Sequence, residues 1–470
     1  MSVSQILILA VVAVLVNQLK KGRSLVLLAV SALVIYWIQP YQEPVNLIFW
    51  FPTLTLAITV IFWLITSSPE ARTWKQNWDS VVILLSVVVL VDLNRYFQVE
   101  VFFITDTPRF QLVAIVLLGV VAVGFLLGRI KKFHGLVFTL AIIGLITLLI
   151  FLKTPLASTR LIESISRFRG KESGGVSAFA WLGFSYISFR LLHTIIDRKA
   201  GRLPPVTLGE YVNYVIFFPT FTAGPIDRLE RFARNLNEPV LMDQEGWVDA
   251  GTRLFRGLFK KFILADALAW IALNQAFVPD VRSVSWMWFF LYAYSLRIYF
   301  DFSGYTDIAI GLGKLLGMQL PENFDSPYLK PNLTQFWNSW HMTLTQWFRS
   351  YFFNPLTRAM RSSKIPLLLP VMILITQVAT MILIGLWHGV TLGFFLWGTW
   401  HGVGLFIQNR WSEWMRTHMP AWGMKPLGAH VLKYSGIFLT FNFVTLGWLF
   451  FFLPDPAMAW NVMLKLFGVV

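Results

Sequence analysis

Between Lys364 and Arg410 the chain carries no Asp, Glu, Lys or Arg. An uncharged run of that length does not survive on the surface of a water-soluble domain. It is long enough for two passes through hydrocarbon, each of which takes about 20 apolar residues. Similar runs recur from Val3 to Val470, so the fold class expected is all-α: a polytopic transmembrane helical protein with no separate soluble domain. Only 13% of residues are charged and 56% are hydrophobic, against about 25% charged in soluble domains.

The expected spans are 3–17, 24–38, 45–66, 80–92, 112–127, 136–152, 178–196, 211–226, 262–278, 285–317, 366–387, 390–408 and 434–454. Several are shorter than a straight crossing, which points to re-entrant pieces or to burial by neighbours. The N-terminal charge follows the apolar stretch, the reverse of a signal peptide, so the first span is expected to stay as a helix. Basic clusters at 20–23, 71–75, 128–132 and 197–202 alternate with the spans, which puts them on the cytoplasmic side and the N-terminus outside. The loop from Lys153 to Ser177 fits poorly, because it carries Lys153, Arg160, Arg167, Arg169 and Lys171. It is expected to be partly embedded, or a span is miscounted.

The net charge of +15 reads as positive-inside loops rather than nucleic-acid binding, and it also suits an acidic cytosolic partner. With no cysteine, disulfides, thiolate metal sites and a Cys acyl-enzyme are excluded. Metal-binding histidine spacings and a glycine-rich phosphate loop are also missing, so the side chains offer imidazole and amide chemistry.

Two histidines interrupt the uncharged run, each between Trp and Gly. His388, beside Trp387, has the titration range of a general base, and an ionisable group at membrane depth is a functional hypothesis. A neutral histidine bonded to a neighbouring helix is the competing reading. His401 repeats the pattern, but thirteen residues of continuous helix separate the two by about 20 Å, so His401 is read as structural. Between Pro321 and Pro366 the chain turns polar and aromatic, and Trp337, Trp340, His341, Leu344 and Trp347 recur at helical spacing. That predicts one interfacial helix with Asn338 and His341 on a shared face, against an aromatic-belt helix with an incidental histidine.

Further along, Arg297 and Asp301 stand at i, i+4 and are expected to neutralise each other, with Asp307 nearby. Pro219, Gly224 and Pro225 should break the span at 211–226 and line a cavity or be buried. Arg253, Arg256 and Lys260 form a basic stripe, read as donor docking or as contact with anionic lipid.

The stretches FFPTFTAGPIDRLERF, YSLRIYFDFSGYTDIAIGLGKLLGMQLPENFDSPYL, FWNSWHMTLTQWFRSYFFNPL and GLWHG resemble the membrane-bound O-acyltransferase (MBOAT) family, in its bacterial branch. They cover about residues 210–405. The resemblance implies re-entrant and interfacial helices around a central tunnel, all in a single polytopic domain over 1–470. Within it would lie peripheral helices at 1–205, a catalytic core at 206–410 and a C-terminal transmembrane segment at 411–470. It implies that His388 is the catalytic base and His341 the second catalytic position. Asn338, Trp337, Trp387, Arg349, Asp301 and Tyr305 would bind substrate, with no metal and no tightly bound cofactor. The implied activity is O-acyl transfer, most simply acetylation of exported or envelope polysaccharide. The donor would be a cytosolic thioester, acetyl-CoA or an acyl carrier protein. D-alanyl transfer to teichoic acid is the alternative; from other classes come an ion-coupled transporter, disfavoured by the lack of an inverted repeat, and a non-catalytic assembly subunit. Membrane lipids and an extracytoplasmic acyltransferase are the implied partners, and a bacterial inner membrane the implied location.

Overall fold

The computed structural model describes the chain except residues 41–45, 98–106, 131, 132, 134, 169–180, 241, 277, 364–366, 420–424 and 470. The expected charges Lys131, Lys132, Arg169, Lys171 and Lys364, and loop end Ser177, lie outside the described residues. The described chain is helical, as the apolar runs require, and forms two compact units.

The first unit comprises Met1–Leu254 and Ile308–Pro321. Its helices are α1 Val3–Asn17, α2 Arg23–Trp37, α3 Asn46–Thr66, α4 Trp74–Phe97, α5 Phe110–Gly128, α6 Gly135–Lys153, α7 Pro155–Phe168, α8 Phe184–Lys199, α9 Leu208–Ile216 and α10 Leu229–Asn237. The helix α11, Gln244–Leu258, belongs to this unit up to Leu254. The apolar helices α3 to α6 are long enough to cross a membrane, whereas α1 and α2 are shorter, at 15 residues each. Of the segment from Lys153 to Ser177, the described part forms α7, a 14-residue helix with an exposed Arg167–Glu163 pair.

The expected span 211–226 is not one helix. Helix α9 stops at Ile216, a short 3-10 turn follows at Phe218–Thr220, and Pro219 and Pro225 forbid the missing N–H bonds. The freed carbonyls are met by Arg190, on α8. This guanidinium is only 2% exposed and donates to Tyr214 O at 3.0 Å, Val215 O at 2.7 Å and Thr220 O at 2.9 Å. The start of α9 is secured by a capping box, with Thr207 Oγ1 accepting from the Glu210 N–H, and by Asn77, whose Oδ1 accepts from the Leu208 N–H at 2.7 Å. Arg23 repeats the device, donating to Leu236 O at 3.1 Å and to Leu316 O.

The second unit comprises Phe255–Asp307 and Glu322–Val470. Its helices are α12 Asp266–Ala269, α13 Val284–Leu315 up to Asp307, α14 Leu333–Trp337, α15 Met342–Phe348, α16 Asn354–Arg361, α17 Leu369–His388, α18 Leu392–His418, α19 Pro426–Phe452 and α20 Pro456–Leu466. Helices α17 and α19 are long and apolar enough to span a membrane. The expected span 262–278 is instead a π-helical turn, Phe259–Ala265, running into the short α12.

Helices α17 and α18 pack along their length as a hairpin. Close approach needs small residues, because lipid supplies no hydrophobic drive between helices. At Gly398 a Cβ would stand 2.5 Å from Met381 O and 2.6 Å from Ile382 Cα, so only hydrogen fits. We expect Gly398→Val to lower stability by about 1–3 kcal/mol through overpacking. Thermal unfolding in detergent reads this, and a parental melting temperature would show that the hairpin tolerates separation.

Candidate functional site

The polar, aromatic segment after α13 does not form the single helix its spacing suggests. Residues 323–325 run extended beside 339–342: Phe324 bridges to Trp340, the Met342 N–H donates to Asn323 O at 3.0 Å, and the Asp325 N–H donates to Ser339 O at 3.0 Å. This pairing competes with the helical ladder and splits it into α14 and α15. The break falls on His341, in the left-handed region at φ 43°, ψ 53°. Among the described residues only Ser326 is another non-glycine with positive φ. Such a conformation persists only when its surroundings impose it. Here Asn323 does so, its Oδ1 accepting from the Thr343 N–H at 3.1 Å and from Thr343 Oγ1 at 2.9 Å.

The turn drives His341 inward. It is 2% exposed and packs edge-on against Phe302 of α13, ring centroids 4.6 Å apart, and against Trp387 at 6.2 Å. Asn338 does not share that face, because it is exposed and its Oδ1 accepts from Arg349 Nη2 at 2.6 Å. His388 is the last residue of α17, and Gly389 behind it is extended at φ −177°. Its half-buried ring sits 4.7 Å from Trp387, 4.9 Å from Phe451 of α19 and 5.7 Å from Trp397 of α18. The buried Trp387 therefore packs near both imidazoles. Burial pushes the His341 pKa well below the usual histidine range, and the nearby His388 lowers it further. His341 is thus a neutral hydrogen-bonding group.

The charged candidates separate from this pair. Arg297 and Asp301 do not neutralise each other: Asp301 is bound by Lys261, and Asp307 by Lys260 Nζ at 2.7 Å. The physical reason is the π-helical turn at Phe259–Ala265, which aims successive lysines at α13. Lys260 therefore spends its charge on buried Asp307 instead of extending the basic stripe, and Arg256 on α11 remains exposed. Tyr305 is half-buried on α13 and Arg349 exposed at the start of a π-helical turn, Arg349–Phe353. Trp337 is buried at the end of α14.

Sequence reasoning missed Asn323, Trp397, Phe302 and Phe451. An Asn in a polar segment and aromatics in an apolar one carry no local signal. It also passed over His193 in the first unit, whose Nδ1 faces Asp197 Oδ2 at 3.1 Å while its Nε2 accepts from the Leu229 N–H at 3.2 Å. Both nitrogens are occupied in clasping α8 to the start of α10. Among the described residues no three His, Asp or Glu side chains gather to hold a metal ion.

The model of the membrane-bound O-acyltransferase family matches residues 130–450. The teichoic acid D-alanyltransferase of Streptococcus thermophilus is 32% identical over 299 residues, 60% of this chain and 71% of the relative. The probable alginate O-acetylase AlgI of Pseudomonas syringae pv. tomato is 33% identical over 272 residues, 57% of this chain and 48% of the relative. The peptidoglycan O-acetyltransferase of Helicobacter pylori is 32% identical over 270 residues, 55% and 47%. The chain thus spans about half the length of the last two.

The left-handed turn is open to test. Glycine adopts this conformation freely, whereas an L side chain pays about 1–2 kcal/mol. His341→Gly should therefore be more stable than His341→Ala by about 1 kcal/mol, the reverse of the order in the interior of a continuous helix. Melting the two variants side by side decides it, and an equal or more stable alanine variant would refute the turn.

Proposed function

From the premise that this chain belongs to the membrane-bound O-acyltransferase family, we propose that it carries an acyl group from a cytosolic thioester to hydroxyls of an exported or envelope polysaccharide. The observation that carries this reading is the pair of imidazoles, His341 and His388, both packed near Trp387 among aromatic rings. His388 takes the proton of the acceptor hydroxyl as its oxygen attacks the thioester carbonyl. The new C–O bond forms, the C–S bond breaks, and the proton passes from His388 to the departing thiolate. His341, neutral and fixed by its turn, hydrogen-bonds the reacting groups and stabilises charge developing on the carbonyl oxygen. Trp337 and Trp387 wall the site, and Asn338, Arg349, Asp301 and Tyr305 meet substrate where the chain opens to its surroundings. A tunnel flanked by re-entrant helices lets the acyl group pass without its carrier, and 206–410 is the catalytic core.

The acyl group is acetyl in the leading version, as for the alginate and peptidoglycan relatives by name. D-alanyl transfer from a carrier protein is the second reading, favoured by the D-alanyltransferase of Streptococcus thermophilus, of whose length more is matched. The same proposal places the protein in a bacterial inner membrane, with membrane lipids and an extracytoplasmic acyltransferase as partners. Proteoliposomes given labelled acetyl-CoA, or D-alanyl carrier protein, separate the two: label reaching acceptor from only one donor selects that reading, and from neither rejects both.

Removing the base should cost about 10²–10⁴ in rate. We expect His388→Ala to lose acyl transfer on that scale while eluting as a folded protein, and His341→Ala to be strongly impaired. A folded His388→Ala protein working near the parental rate would sink the assignment.

Arg253 and Arg256 on α11 are the proposed docking charges for the donor; Lys260 keeps only a supporting part because of its pairing with Asp307. Arg256→Glu should raise the donor KM more than it lowers kcat, because docking precedes chemistry. The effect should shrink with added salt, as exposed charges are screened beyond about 8 Å. An unchanged KM in neutral detergent leaves only a lipid-binding role.

A further inference from the structure

His401 lies thirteen residues past His388, but the helix between them is broken. Helix α17 ends at His388, and α18 starts at Leu392 and folds back along it. The separation expected of one continuous helix therefore does not hold, and Trp397 touches both rings, at 5.7 Å from His388 and 4.9 Å from His401.

His401 is 0% exposed, and among the described residues neither of its ring nitrogens has a hydrogen-bond partner. The same is true of the indole N–H of Trp397 and of Trp337, both buried. The three rings form one cluster, with Trp337 5.2 Å from His401 and 5.8 Å from Trp397. Nearby indoles do find acceptors: Trp400 Nε1 donates to Phe443 O at 3.0 Å, and Trp448 Nε1 to Tyr328 Oη at 3.2 Å. Opposite His401 Nε2 stands buried Gly447 of α19, where a Cβ would come within 3.0 Å of that nitrogen. A neutral imidazole has one donor and one acceptor, and each indole adds a donor. A buried water makes about three hydrogen bonds, and it occupies sites where buried polar groups lack partners.

We propose that His401, Trp337 and Trp397 hold an ordered internal water, and that His401 is thereby a positioning residue for acyl transfer. The water pins the Trp397 indole, and that indole fixes the edge-on packing of the His388 ring. His401 does not touch substrate. The proposal rests on His388 being the base, but the water itself does not depend on that reading.

The test uses the full chain in proteoliposomes. His401→Phe, which keeps a ring and removes both nitrogens, should lower kcat about tenfold, because small misplacements of a catalytic group are costly. Donor and acceptor KM should stay within about twofold, the pattern of a group acting on the transition state alone. His401→Gln, which supplies a donor and an acceptor, should recover most of the loss. Gly447→Ala puts a methyl within 3.0 Å of His401 Nε2 and of Trp400 Cδ1 while keeping both histidines, and should reproduce the kcat loss should His401→Phe fail to fold. A parental kcat in the folded phenylalanine variant, or no rescue by glutamine, overturns the positioning role. An experimental high-resolution map of the parental protein should show the water among the three rings, and a dry cluster overturns the proposal outright. His388→Ala, run alongside, separates the two failures: if it stays active while the water is present, the base assignment falls and the water site stands.

Discussion

A buried backbone group finds no water, so each interruption of a helix must be answered by another part of the protein. Two interruptions shape this molecule. At the end of α9, prolines remove the ladder and Arg190 supplies the donors, one guanidinium meeting three carbonyls. At His341 the extended strip 323–325 captures residues 339–342, and Asn323 Oδ1 receives the N–H and hydroxyl of Thr343. In both places a planar side chain replaces missing backbone partners, the fork geometry of arginine suiting the first.

The second interruption has chemical consequences. A histidine on a regular helix would present its ring at an angle set by its neighbours in sequence. The left-handed turn releases His341 from that constraint and delivers it to Trp387 and Phe302, contributed by α17 and α13. His388 gains comparable freedom from its place at the very end of α17. Both imidazoles are then packed against aromatic rings, and around the buried His341 hydrogen bonds meet little competition from water. The carboxylates of α13 are paired with Lys260 and Lys261.

Much of this was legible in the residues. The uncharged run from Lys364 to Arg410 marked a membrane helix, and α17, long and apolar enough to cross, lies within it. Pro219, Gly224 and Pro225 announced the broken span because their effect is local and steric. The i, i+4 reading of Arg297 and Asp301 failed because it considered one helix alone, while Lys261 reached Asp301 from the π-helical turn. The helical period around His341 failed for a related reason: the spacing was present, but a competing extended pairing took the backbone groups it needed.

The sequence by itself determined the class of the protein, its long apolar helices and the place of the two Trp-His-Gly motifs, because hydropathy and helix breaking are summed over short windows. Only the tertiary structure decided which partners meet. Asn323 and Thr343 lie 20 positions apart, Lys260 and Asp307 47. It alone decided that His401 folds back to share Trp397 with His388, because a reversal at Gly389–Thr391 turns axial separation along one helix into contact between two. Contacts of that kind depend on closing loops between distant residues, and no local period records them.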